Sequence, residues 1–191
     1  MNSLRKLVVA SMLVWAVGTC VDTFAQLLKN GGFEDAETVQ ANPYGDLAAN
    51  WGRWGDWMNR ETAWVPTHSG NSLMGYHHWE IMSDADSGCY QDIPEAPAGK
   101  KYTFSVFAFK DDKTNIESVE LRIEKLNGGE TLASRVYSGD EVKSAGWGEM
   151  SVSGTNTTDG IRVTIVVKPK QGPGSRDGAL KFDDASVTVT E

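Results

Sequence analysis

The sequence predicts an all-β fold, a two-sheet antiparallel β-sandwich of the jelly-roll type, on three observations. Apolar and polar residues alternate with period two in run after run, Gly, Pro, Asn and Asp punctuate those runs, and helix-period patterning is nearly absent. Alternation with one apolar face suits an antiparallel sheet that packs one side on a core and turns the other to water. Many short strands without intervening helices point to a sandwich rather than an α/β sheet.

Residues 1–25 read as a leader. Arg5 and Lys6 give a cationic start, and the apolar run over 7–17 is shorter than the ~20 residues that span a bilayer. Thr23-Phe24-Ala25 then offers a small-residue cleavage site. The expected mature chain is 26–191, secreted to a periplasm or the exterior, with no transmembrane segment. A rival cut before Cys20 would leave a lipid anchor, but Thr19 is a poor residue at that position. After cleavage Cys89 is the single cysteine, so an internal disulfide is excluded and the core, or a metal, must supply stability. Cys89 alternates with Gln91 and Ile93, the setting of a buried thiol rather than a nucleophile.

Strands are expected at 26–30 and 51–54, both weak, then at 60–65, 71–79, 88–93, 101–110, 117–126, 130–138, 147–154, 161–168 and 179–190. In the run over 101–110, Tyr102, Phe104, Val106 and Ala108 oppose Thr103, Ser105, Phe107 and Phe109. Val119, Leu121 and Ile123 oppose Glu120, Arg122 and Glu124, and Ile161, Val163, Ile165 and Val167 oppose Arg162, Thr164, Val166 and Lys168. Asn127-Gly128 between two such runs predicts a hairpin. Residues 35–50 form the longest irregular stretch, and loops of that length are usually functional or metal-tied. In the last strand the apolar phase breaks at Asp183-Asp184, which predicts a bulge carrying two adjacent carboxylates.

Charged residues at 23 % and hydrophobic residues at 40 % are ordinary for a globular chain and exclude a disordered acidic tail. The net charge of −8 becomes −9 once Arg5, Lys6 and Asp22 leave with the leader, which excludes a phosphate-backbone partner and disfavours strongly anionic glycans. The seven Trp are the notable excess, six of them after Trp15 leaves. Sugars present apolar C–H faces, so a glycan site needs flat aromatic rings among hydrogen-bonding side chains. Trp54 and Trp57, interleaved with Gly52, Gly55, Arg53 and Asp56, fit such a platform, whereas Trp51 suits the core. Tyr76, His78, Trp79 and Glu80 gather an aromatic pair, an imidazole and a carboxylate. Phe107 and Phe109 stand opposite a core face, an unusual place for exposed aromatics. Trp64 and Trp147 are assigned to packing or strand edges. Adjacent His77 and His78 lack a third ligand at strand spacing, which argues against a transition metal.

Ordered motifs give a family likeness. Leu28-Lys29-Asn30-Gly31-Gly32-Phe33-Glu34 opens the chain, followed by Trp51, His68-Ser69-Gly70-Asn71-Ser72-Leu73 and Tyr90-Gln91-Asp92-Ile93. Then come Pro97 to Ser105, Trp147 and Phe182-Asp183-Asp184-Ala185-Ser186-Val187. In this order they resemble carbohydrate-binding modules of families 4, 9, 16 and 22, galactose-binding-domain-like jelly rolls, over essentially the whole mature chain. The resemblance implies polysaccharide binding, aromatic residues such as Phe107 and Phe109 lining the cleft, and a separate glycan-degrading enzyme as a companion. It also implies a structural calcium ion held by Glu34 and Asp183, with Asp184 beside them and oxygens from Gly32 and the segment ending at Asn71. Calcium takes six to eight oxygen ligands, which this set can offer in kind.

The expected function is therefore that of a secreted, non-catalytic polysaccharide-binding protein. The alternative is an adhesion or structural module, and less favoured is a small polysaccharide-degrading enzyme. No spacing singles out a carboxylate pair for glycoside hydrolysis. Tyr76, His77 and Arg53 can be drafted as a lyase site only without a characteristic motif, and no serine elbow or phosphate loop is present.

Overall fold

Ten antiparallel strands make two five-stranded sheets in the computed structural model, which describes residues 27–37, 46–55, 58–63, 66–77, 85–111, 115–170 and 179–190. The strands are β1 (Gly52–Trp54), β2 (Met58–Glu61), β3 (Leu73–His77), β4 (Ser87–Ile93) and β5 (Lys101–Lys110), followed by β6 (Ile116–Lys125), β7 (Thr131–Ser138), β8 (Gly148–Thr155), β9 (Ile161–Pro169) and β10 (Ala179–Thr190). One sheet runs β1-β4-β9-β6-β7 and the other β2-β3-β10-β5-β8. Among the described residues there is no helix, and none long and apolar enough to cross a membrane. The expected leader, with Cys20, lies outside the described residues.

The alternations decide which face is core. Val119, Leu121, Ile123, Val163, Ile165 and Val167 from one sheet meet Tyr102, Phe104, Val106, Phe182 and Val187 from the other, all with no exposed surface. Truncating one such Phe to Ala costs about 3–5 kcal/mol. Cys89 is fully buried there, and burial pushes its thiol far above the ordinary range, so it packs as a small hydrophobe. The β6–β7 hairpin closes through Asn127 and Gly128, both at positive φ (62° and 70°) as the Asn-Gly signal requires.

Two expected strands differ. Residues 27–33 turn instead of pairing, because Asn30 and Phe33 sit at positive φ. The Gln91 side-chain amide takes the place of a strand partner, accepting from Lys29 N and donating to Lys29 O at 2.8 Å each. The strand expected at 60–65 starts and ends earlier, as β2. Trp51 is a core residue as expected, its ring 5.0 Å from Phe33 and its Nε1 donating to Asn30 O. The bulge expected in the last strand is present: the β10–β5 register shifts between Asp183 and Ser186, and Asp184 sits at φ 47°. The freed Ala185 N–H donates to Gly31 O at 2.8 Å, which docks the opening turn on the last strand.

Candidate functional site

The outer face of the β1-β4-β9-β6-β7 sheet carries a groove that strand register assembles. Trp54 pairs with Gly88, Gly88 with Val166, and Val166 with Glu120. In the next row Gly52 pairs with Tyr90, Tyr90 with Thr164, and Thr164 with Arg122. In the third, Asp92 pairs with Arg162, which pairs with Glu124. Since side chains alternate across a strand, all of these share one face.

Two glycines shape that face. A Cβ on Gly88 would overlap the Trp54 ring, and one on Gly52 would overlap the Tyr90 ring. Each aromatic therefore lies over a neighbouring strand where no side chain stands, instead of projecting upright. The rings are tilted by 35° with centroids 6.3 Å apart, and Trp54 is one of two large apolar residues exposed among those described. The Arg162 guanidinium lies 3.8 Å from the Tyr90 centroid. It is fixed by a two-point pair to Asp92, Nε to Oδ1 at 2.8 Å and Nη2 to Oδ2 at 2.7 Å. That pairing holds the Asp92 carboxyl below the usual carboxylate range. Arg122 donates to Glu120 at 2.6 Å and likewise lowers its pKa, and Thr164 Oγ1 donates to Glu124 at 2.6 Å. Between these groups lies a cavity of about 220 Å³ lined by Trp54, Tyr90, Arg122, Glu124, Arg162 and Thr164. Flat apolar rings beside pre-positioned donors and acceptors suit a polyol with an apolar face.

The outer face of the other sheet treats its aromatics differently. Phe107 and Phe109 are half-buried, not an open platform. His68 stacks on Phe107 at 3.8 Å and 15°, and Trp147 packs edge-on against Phe109 at 5.6 Å and against His68 at 5.5 Å. The Lys181 ammonium sits 4.8 Å from the Phe109 ring. Trp147 is thus a packing residue, as expected.

The turn that carries His68 is clasped by the predicted acidic residues. Asp183 Oδ2 accepts from His68 N at 2.8 Å and Ser69 N at 3.1 Å. Asp184 takes His68 Nδ1 at 2.5 Å and Ser69 Oγ at 2.7 Å. Glu34 Oε1 accepts from Asn71 N at 2.8 Å and Ser72 N at 3.0 Å. Gly70 has φ 54°, and a Cβ there would overlap the Glu34 carboxylate. Gly32 lies between the acids, its Cβ position 3.5 Å from Asp184 Oδ1 and 3.8 Å from Glu34 Cγ. The Asp183 carboxyl is fully buried, and burial pushes its pKa up to about 6 against the lowering effect of its amide donors. A hard, all-oxygen set around a buried carboxylate fits calcium in donor type. Among the described residues, however, no three Asp, Glu, His or Cys side chains converge as a metal cage. An ion here would depend on backbone oxygens as well.

The predicted residues divide accordingly. Trp54 reaches the groove. Tyr76 does not: it has no exposed surface, because β10 register sets it opposite Leu180 on the inner face, where it joins the core. Trp57, His78, Trp79 and Glu80 lie outside the described residues. Sequence reasoning missed Tyr90, Arg122, Glu124, Arg162 and Thr164 as partners of Trp54. Their signal was the polar phase of three strands, which becomes a site only once register places the strands side by side.

No protein-family model and no curated protein matches the sequence. Solved structures do match in shape. A family 61 carbohydrate-binding module in complex with β-1,4-galactotriose shares 19 % identity over 86 % of this chain and 99 % of its own, at a TM-score of 0.59. A family 4 carbohydrate-binding module shares 15 % over 85 % of this chain and 99 % of its own, at 0.52. The apo form of a cyclase from Fischerella shares 15 % over 85 % and 94 %, at 0.60. At these identities the likeness establishes the fold, a carbohydrate-binding-module-like jelly roll.

Proposed function

We propose that the chain is a non-catalytic carbohydrate-binding protein that holds a neutral, β-linked glycan in the groove over β1, β4, β9 and β6. The observation that carries this reading is the pair Trp54 and Tyr90, laid over Gly88 and Gly52 beside arginines already fixed by carboxylates. The fold shared with a module seen holding β-1,4-galactotriose adds support. Arg162 and Arg122 are each neutralised by a partner, and Glu124 adds a further carboxylate, so the face favours hydroxyl groups over anions. The acidic chain, at −8, points the same way.

Calorimetry against a panel of soluble and insoluble glycans tests this. We expect binding of roughly 10⁻³ to 10⁻⁶ M. Reducing ends or unsaturated products appearing on incubation would favour an enzyme. Neither binding nor turnover across the panel would favour an adhesion or structural module. The reading extends to a structural calcium ion held by Glu34 and Asp183, with Asp184 beside them and backbone oxygens from Gly32 and the segment ending at Asn71. It extends also to export with loss of residues 1–25, and to action beside a separate glycan-degrading enzyme. Amino-terminal sequencing of the exported protein tests the cleavage after Ala25.

A further inference from the structure

We infer that the chain carries a separate ligand site at the far end of the β1-β4-β9-β6-β7 sheet, and that this site takes a single hydroxylated carboxylate of the sugar-acid type. The inference goes beyond the groove reading and does not depend on it. A cavity of about 510 Å³ lies where β6 begins and where β7 and β9 end, floored by the buried Ile116 and lined by Glu117, Ser138, Asp140, Lys168 and Lys170. Lys168 stands four residues beyond Thr164 on β9, roughly 13 Å at ~3.3 Å per residue, and the buried Val166 lies between them. The volume falls within the ~300–1,000 Å³ of small-ligand sites, enough for a six-membered ring.

Backbone geometry builds this cavity before any ligand arrives. The β6–β9 register shifts between Ile116 and Ser118, and the extra residue, Glu117, is exposed. The turn after β7 is pressed onto that bulge: Gly139 N donates to Glu117 O at 2.8 Å, and a Cβ on Gly139 would overlap Ile116 O. Lys110 reaches across from the other sheet and donates to Gly139 O. Ser138 N and Oγ both donate to Glu141 Oε2, at 2.8 and 2.9 Å, which fixes the start of the turn.

The charges differ from those of the groove. Lys168 pairs with Glu117 at 2.8 Å, while among the described residues neither Lys170 nor Asp140 has an ion-pair partner. Lys170 thus supplies one uncompensated positive charge, which a single carboxylate satisfies. A dianion such as phosphate would meet Glu117 and Asp140 with charge in excess, and a polyanion would meet the net charge of −8. The remaining lone pairs of Glu117, Asp140 and the Ser138 hydroxyl are acceptors, so the rest of the ligand must donate, as hydroxyls do. No aromatic ring lines the cavity among the described residues, so it grips charge and hydroxyls instead of a ring face.

The test is amide-resolved NMR of the mature chain titrated with glucuronate and galacturonate, against glucose, galactose, acetate and alanine. We expect the amides of Glu117, Gly139 and Asp140 to shift with the two sugar acids, at a Kd of roughly 10⁻² to 10⁻⁴ M that weakens as salt rises. Glucose and galactose should leave these signals unmoved, and acetate and alanine should bind about tenfold more weakly or worse. Lys170→Gln should weaken the sugar acids about fivefold or more, and Lys170→Arg should keep them within about threefold. Lys170 is exposed, so both variants retain the fold. Acetate binding as well as the sugar acids would overturn the hydroxyl assignment, and alanine doing so would give Asp140 to an ammonium and overturn it equally. Shifts confined to Arg122, Gly128 and Arg162 would put the acid in the groove and overturn the separate site, as would unchanged affinity in Lys170→Gln or no response to any carboxylate. Neutral-glycan binding in the groove is read separately, from the signals of Trp54 and Thr164, so the two readings fail independently.

Discussion

The two outer faces of this sandwich carry similar aromatic content and arrange it differently. On the β1-β4-β9-β6-β7 face, Trp54 lies exposed over Gly88, and the half-buried Tyr90 lies over Gly52 with the Arg162 guanidinium against its ring. On the other face, Phe107 and Phe109 are capped by His68 and Trp147. The cap is held because His68 sits in a turn gripped by Glu34, Asp183 and Asp184. An aromatic in the outward phase of a strand is thus not in itself a platform. The residue beside it on the next strand, and any loop lying over it, decide whether the ring is offered or consumed.

Perturbing the capped face should cost stability, and perturbing the open face should cost binding. The largest effect is expected at Gly70, where Ala would combine left-handed strain with overlap of the Glu34 carboxylate. We expect a loss of about 2–4 kcal/mol and a melting temperature lower by about 5–12 °C. Calorimetric scanning checks this, and an unchanged melting curve would show that the clasp does not hold the turn. Next is calcium. An ion at 100 times its Kd adds about 2.7 kcal/mol, so chelation should lower melting by several degrees. Asp183→Ala should abolish the response to added calcium. Indifference to chelator, on protein verified free of metal beforehand, would leave the acids as amide acceptors alone.

On the open face, Gly52→Ala should lift the Tyr90 ring and weaken glycan binding by about five- to tenfold while shifting melting by less than about 3 °C. The reverse pattern, a large melting loss with binding intact, would make Tyr90 a structural residue. The smallest effect is in pH. Asp92 and Glu120 have folded pKa values held below their unfolded ones by Arg162 and Arg122. Their contribution to stability is complete above the unfolded carboxylate range near pH 4 and disappears as pH falls through the lower folded values. Asp92→Asn should therefore flatten the acid limb of a melting-versus-pH profile by a small amount, since the pair is partly solvent-screened.

Most of the sandwich was legible because burial writes itself into period-two alternation. Tyr102 to Ala108, Val119 to Ile123 and Ile161 to Val167 each announced their inward face, and the broken phase at Asp183-Asp184 announced the bulge. The pairing of Lys29 with the Gln91 side chain was not legible, since a side-chain amide imitating a strand leaves no periodic trace. The same limit applies at the site. Trp54 was visible as an aromatic among glycines, but Gly88 lies far along the chain and meets it only through register. Tyr76 was misplaced by composition: its neighbours in sequence suggested a binding cluster, whereas the register with Leu180 turns it inward.

The central claim, that one face binds and the other only packs, is tested most directly by a crossed pair of variants. Trp54→Ala and Phe109→Ala are each measured for glycan affinity by calorimetry and for melting temperature under the same conditions. The account predicts that Trp54→Ala weakens binding about tenfold or more and leaves melting nearly unchanged, because its ring is exposed and its loss is chiefly one of stacking. It predicts that Phe109→Ala lowers melting by several degrees, through loss of contact with Trp147 and Lys181, and keeps the affinity. Loss of binding in Phe109→Ala with full binding in Trp54→Ala would contradict it and move the glycan to the opposite sheet.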